Sequence, residues 1–95
     1  MNKISIPTYK TMMNPTLQAL RDLGGSATIK ELYNQVAEIM KLSDEQLEVI
    51  HNPEQGSRSK IEYNLAWTRS YLKKYGLLEN SSRGVWALTK KGRKT

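Results

Sequence analysis

The stretch Trp67-Thr-Arg-Ser-Tyr-Leu-Lys-Lys-Tyr-Gly-Leu-Leu-Glu79, continued by Asn80-Ser-Ser-Arg-Gly-Val-Trp-Ala-Leu88, holds the change from helical to strand-like patterning. At roughly 100° per residue, Ile61, Leu65, Thr68, Leu72 and Tyr75 share one face of a helix predicted from Ser59 to Tyr75. Asn64 and Tyr71 lie at the edge of that face, and Lys60 and Trp67 farther round. Ser59, Tyr63, Ser70 and Lys74 point away from it. Gly76 closes the helix. Leu77 to Asn80 and Val85 to Leu88 then read as two strands around a four-residue turn that carries Arg83.

Upstream, Asn14-Pro15 resembles a capped helix start, with an alternative in which an extra turn from Thr8 makes Pro15 a kink. Leu17, Leu20 and Leu23 form the apolar stripe of that first helix, which stops at Gly24-Gly25. Ser26 to Thr28 is short and β-compatible. Thr28 with Glu31 makes a capping box for a second helix reaching about Lys41, and Ser43 with Gln46 makes another for a short helix to Ile50. His51 to Gly56 reads as a loop, and Thr89 as the cap of a final helix. The class is therefore α+β and mostly α. The order is that of a winged helix-turn-helix, with a short extra helix inserted before the recognition helix and a two-stranded wing.

Charge is distributed unevenly along this frame. Residues 57–95 hold ten Lys/Arg and two acids, a net of +8, whereas residues 1–56 hold five basic and seven acidic residues, a net of −2. A basic helix and hairpin suit a polyanion, and DNA is the commonest. The 95 residues make a single small domain, 1–95, with 90–95 starting a linker or a final helix. Cysteine is absent and the one histidine is His51, so neither a metal set nor a Ser/His catalytic pair is expected. No cofactor, membrane span or secretion signal is expected, and a cytoplasmic location fits.

Three further groups of residues carry a family resemblance. Ile6-Pro-Thr-Tyr9 followed by Pro15 and Leu20, the Trp67 to Glu79 stretch, and Arg83-Gly-Val-Trp86 followed by Thr89 and Gly92 resemble, in order, the N-terminal domain of Mrr-type restriction endonucleases. The likeness runs from about residue 6 to residue 93. It implies a DNA-binding module of a modification-dependent restriction system, joined in a parent protein to a C-terminal nuclease domain. The two-carboxylate-and-lysine site of that nuclease has no counterpart here, so this chain is not expected to be an enzyme.

Arg58, Ser59, Lys60, Tyr63, Asn64, Ser70 and Lys74 are the candidates for the DNA-facing side of the long helix, and Arg83 for a phosphate or minor-groove contact at the wing. The expected partner is double-stranded DNA, methylated DNA included. Trp67, Tyr71 and Trp86 are expected to pack in the core, because a chain this small needs large side chains there. Arg69 is expected to be structural, pairing with an acid such as Asp22. Thr28 and Lys30 open a helix whose free N–H groups would suit a phosphate oxygen, but the capping box accounts for Thr28 without a ligand. An alternative function is protein interaction or homodimerisation through the acidic segment Ser43 to Gly56, which carries Leu47, Val49 and Ile50.

Overall fold

The computed structural model describes residues 5–49 and 59–94; the expected loop at 51–56 and the candidate Arg58 lie outside the described residues. The chain is α+β and mostly helical: α1 (Met13–Asp22), β1 (Ser26–Thr28), α2 (Ile29–Ile39), α3 (Asp44–Glu48), α4 (Lys60–Lys74), β2 (Leu78–Ser82), β3 (Val85–Leu88) and α5 (Lys90–Lys94). This order, with its small antiparallel sheet, is compatible with a winged helix.

The start of α1 differs from both sequence readings. A turn does begin at Thr8, whose carbonyl accepts from the Met12 N–H at 3.2 Å, but the cap is Met12 and no side chain caps the helix. Asn14 and Pro15 thus fall inside the first turn. An N–H there has no helical acceptor, so proline leaves no bond unmade.

The three longer helices end alike. The Gly25 N–H bonds to the Leu20 carbonyl at 2.7 Å, that of Leu42 to Ala37 at 3.0 Å, and that of Leu77 to Leu72 at 2.9 Å, each spanning the helix end as in a Schellman motif. The left-handed residue of the motif is Gly24 in α1 and Gly76 in α4, but Lys41 in α2, at φ 52°. The motif stops α2 at Ile39, short of the expected Lys41. It also explains Tyr75, which was expected in the core. Tyr75 is the C-cap of α4 and 54% exposed, and the turn at Gly76 brings Leu77 against the core instead.

Both expected capping boxes are present. Thr28 and Glu31 exchange bonds of 2.9 and 3.2 Å, and Ser43 and Gln46 bonds of 2.8 and 3.2 Å. The Thr28 backbone N–H first, and its hydroxyl second, hold the Glu31 carboxyl below the ordinary carboxylate value. The cap's electrostatic part is therefore present above that ordinary value and is lost as pH falls through the lowered one. The inserted helix α3 is shorter than expected because Val49 is extended, its carbonyl accepting from the Lys60 N–H at 2.7 Å. Leu47 packs on the core, and the Gln46 side-chain amide donates to the Ser5 carbonyl at 2.7 Å.

The sheet has three strands, in the order β1-β3-β2, the short β-compatible segment at Ser26 to Thr28 joining the two strands of the wing. Ser26, Ala27 and Thr28 pair with Ala87, Trp86 and Val85, so the hairpin is joined to the strand that leads into α2. Strand β2 runs on to Ser82, because Asn80 faces Trp86 and Ser82 faces Val85, leaving Ser81 as an extra residue in a bulge. The turn between the strands shrinks to Arg83 and Gly84, with Gly84 at φ 77°. Leu20, Leu32, Val36, Ile61, Leu65, Leu72 and Leu78 are buried in one core shared by α1, α2, α4 and the sheet.

Helix α5 follows its cap as expected, with the Thr89 hydroxyl oxygen accepting from the Gly92 N–H at 3.1 Å. Gly92 packs so tightly that a Cβ there would overlap the Leu77 carbonyl oxygen. Ala ordinarily favours a helix over Gly, so Gly92→Ala tests packing against propensity. Packing should win, lowering stability by about 1–3 kcal/mol. The left-handed Lys41 carries the opposite expectation: Lys41→Gly should raise stability by about 0.5–1 kcal/mol. Urea unfolding midpoints at unchanged m-value check both signs.

Candidate nucleic-acid interface

Helix α4 begins at a cap formed by the Ser59 hydroxyl oxygen, which accepts from the Glu62 N–H at 3.0 Å. Ser59 is thus half-buried and its oxygen engaged in the cap. From this start the helix buries Ile61, Leu65, Thr68 and Leu72, which turns Tyr63, Trp67, Ser70 and Lys74 outward. Three adjoining shallow depressions line the outward side. One is bounded by Tyr63, Ala66, Trp67 and Ser70, and the next by Trp67, Ser70, Tyr71 and Lys74. The third is bounded by Tyr9, Lys60, Tyr63, Asn64, Trp67 and Tyr71. Lys60, Tyr63, Asn64, Ser70 and Lys74 are therefore gathered on one surface, with Trp67 at its centre.

Trp67 departs from its expected place in the core: it is 48% exposed. The reason is angular, since Trp67 lies off the Ile61–Leu65–Leu72 stripe and a helix of one stripe buries one face. Its ring is held by other rings. Tyr63 stands edge-on to it at 6.4 Å and 76°, and Tyr71 lies on its other side at 6.0 Å and 33°. Tyr71 in turn stacks on Tyr9 at 4.8 Å and 19°. Tyr71 and Trp86 are half-buried, closer to the core packing expected of them.

Tyr9 belongs to a strap of chain laid along α4. The Asn64 side-chain amide donates to the Pro7 carbonyl at 2.9 Å, and the Thr68 hydroxyl donates to the Tyr9 carbonyl at 2.8 Å and is within 3.1 Å of the Asn64 carbonyl. Asn64 thus serves to hold the strap. The Lys60 ammonium lies 5.4 Å from the centre of the Tyr63 ring, a cation–π distance. The Ser70 hydroxyl donates back to the Ala66 carbonyl at 3.1 Å, and its oxygen faces solvent. Lys74 is exposed in the last turn.

On the hairpin, Arg83 is exposed at the two-residue tip, beside exposed Ser81 and Ser82. Between hairpin and helix, Trp86 receives the Arg69 guanidinium at 5.6 Å and the Lys73 ammonium at 5.9 Å. Arg69 is 6% exposed, as a structural residue should be. Asp22 accepts from Gln18 at 2.8 Å and from Gln35 at 3.3 Å. Of the other cations, Lys91 donates to the Tyr75 carbonyl at 3.0 Å, and the Arg93 guanidinium lies against Gly25.

Sequence reasoning missed two members of this surface: Tyr9, and Trp67 as an exposed ring. Trp67 had a local signal, because Tyr63, Trp67 and Tyr71 follow one another at a spacing of four and form a stripe of their own. Tyr9 had none, as its partner is distant in sequence. Among the described residues no three His, Asp or Glu side chains gather as a metal ion would require, and no helix is long and apolar enough to cross a membrane.

The profile of the Mrr N-terminal domain matches residues 9–95. A curated relative, the type IV methyl-directed restriction enzyme EcoKMrr of Escherichia coli strain K12, is 28% identical over 90 residues. Those residues are 94% of this chain and 28% of that protein, so the chain spans little more than a quarter of its relative's length. No solved structure matches. The match from Tyr9 onward covers the end of the strap, α4 and the hairpin together: the chain belongs to the Mrr N-terminal domain family.

Proposed function

We propose that this domain is the DNA-binding module of a modification-dependent restriction system, with the cutting chemistry held by a separate nuclease domain of a longer protein. In this reading the outward side of α4 enters the major groove, and the hairpin sets Arg83 on the backbone or in the minor groove. The observation that carries the reading is the gathering of Lys60, Tyr63, Ser70 and Lys74 on one open side of the longest helix, within the half of the chain that holds a net +8. Among the described residues no acidic side chain lines the three depressions. The related enzyme is described as methyl-directed, which makes methylated double-stranded DNA the natural ligand to test.

The chemistry divides by residue. Lys60, Lys74, Arg83 and, on sequence grounds, Arg58 neutralise phosphates. Tyr63 presents a hydroxyl group that can donate and accept, and Ser70, whose proton goes to the Ala66 carbonyl, presents an oxygen that accepts, as base edges require. Asn64 is tied to Pro7, so its contribution to binding is to hold the helix and strap in register.

Binding without sequence selection should be micromolar or weaker at physiological salt, with log affinity falling against log salt by about 0.9 per phosphate neutralised. Lys60→Ala and Lys74→Ala should each weaken binding to every duplex alike and flatten that slope by about 0.9. Fluorescence anisotropy over a salt series measures both quantities, and slopes equal to that of the native protein would remove α4 as the phosphate-binding helix. The same titration on matched methylated and unmethylated duplexes tests the modification reading. Tighter binding of the methylated duplex makes this domain the sensor. Equal binding makes it an anchor, with selection residing in another domain, and no binding at low salt removes the DNA reading altogether.

A further inference from the structure

The most exposed large aromatic ring besides Tyr75 is Trp67, and it is held rigidly. Tyr63 meets it edge-on, Tyr71 backs it, and Tyr71 is fixed by its stack on Tyr9. Tyr9 is anchored through its own carbonyl by the buried Thr68. The near-perpendicular pair Tyr63 and Trp67 makes a notch with an indole on one side and a phenol on the other, and the Ser70 hydroxyl lies at its margin. Lys74 borders the neighbouring depression and Lys60 the one beyond.

We propose that this notch receives one unstacked base of a bound DNA strand, with the face of Trp67 as its stacking surface; the proposal rests on the DNA-binding reading above. A base paired in a duplex shows only its edges to the groove. The π face of an indole is matched only by the π face of a base that has left the stack. A ring pinned by neighbouring rings loses little freedom when a base settles on it. Flanking lysines supply charge complementarity to the phosphates on either side of that base, which a neutral or basic protein partner would not match. The Ser70 oxygen, whose proton goes to the Ala66 carbonyl, can accept from the edge of the base.

The test uses the whole chain and two short duplexes of the same sequence, one fully paired and one with a single bulged thymine. The native protein should bind the bulged duplex roughly tenfold more tightly, and its indole emission should be quenched on doing so. Trp67→Leu keeps apolar bulk without a π face and should bring the ratio of the two affinities close to one. Trp67→Phe should keep most of it. A native ratio of one, with salt-dependent binding of both duplexes, overturns the stacking proposal and leaves the DNA reading standing. So does a preference that survives in Trp67→Leu. Failure to bind either duplex defeats the DNA reading, and this proposal with it. A concentration-dependent rise in mass that Trp67→Leu abolishes would assign the notch to a second copy of the chain instead.

Discussion

A helix with one apolar stripe can bury only that stripe, and α4 has one. Ile61, Leu65, Thr68 and Leu72 are each no more than 1% exposed, and their burial against α1 and the sheet fixes the rotation of the helix about its axis. Every other feature of the surface follows from that rotation. It sends Trp67, Ser70 and Lys74 outward, sets Arg69 and Lys73 beside Trp86, and presents Asn64 and Thr68 to the strap. Thr68 is the polar member of the stripe. Its hydroxyl donates to the strap, so the buried group is satisfied and also records where Tyr9 must lie.

Features determined by short-range chemistry were legible in the sequence. The capping boxes at Thr28 and Ser43 are each complete within four residues, and both formed. The period of α4 and the glycine at its end placed that helix to within a residue. What was not legible depends on distant partners. Ser26 to Thr28 could be read as a short strand, but nothing near Ser26 says that it will pair with Ala87. Nothing near Tyr9 points to Tyr71. Lys41 illustrates a different gap: a left-handed helix end is read from glycine, and here the bonds of the motif hold a lysine in that conformation. For Trp67 the error was one of weighting. Residue type argued for burial, while angular position argued against it, and position prevailed.

The charge of the second half overstates what faces a ligand. Lys91 reaches the Tyr75 carbonyl and so satisfies the end of α4, where a cation also opposes the negative end of the helix dipole. Arg93 lies on Gly25, and the Arg69 guanidinium is buried over Trp86. These cations knit α5, the hairpin and the helices to one another. The cations bordering the outward depressions of α4 are Lys60 and Lys74, with Arg83 apart from them on the hairpin tip.

The hairpin is more than an appendage of α4, because β3 is the middle strand of the sheet, bonded on one side to β2 and on the other to β1. Strand β1 passes directly into the capping box of α2. A hairpin attached only by its base would flap, and closing it onto a ligand would forfeit its freedom. Here the arm is splinted to the frame before any ligand arrives. In the DNA complex proposed above, the Arg83 tip is then an arm of set reach, more like the jaw of a fixed spanner than that of pliers, and a duplex that does not fit that reach must itself bend.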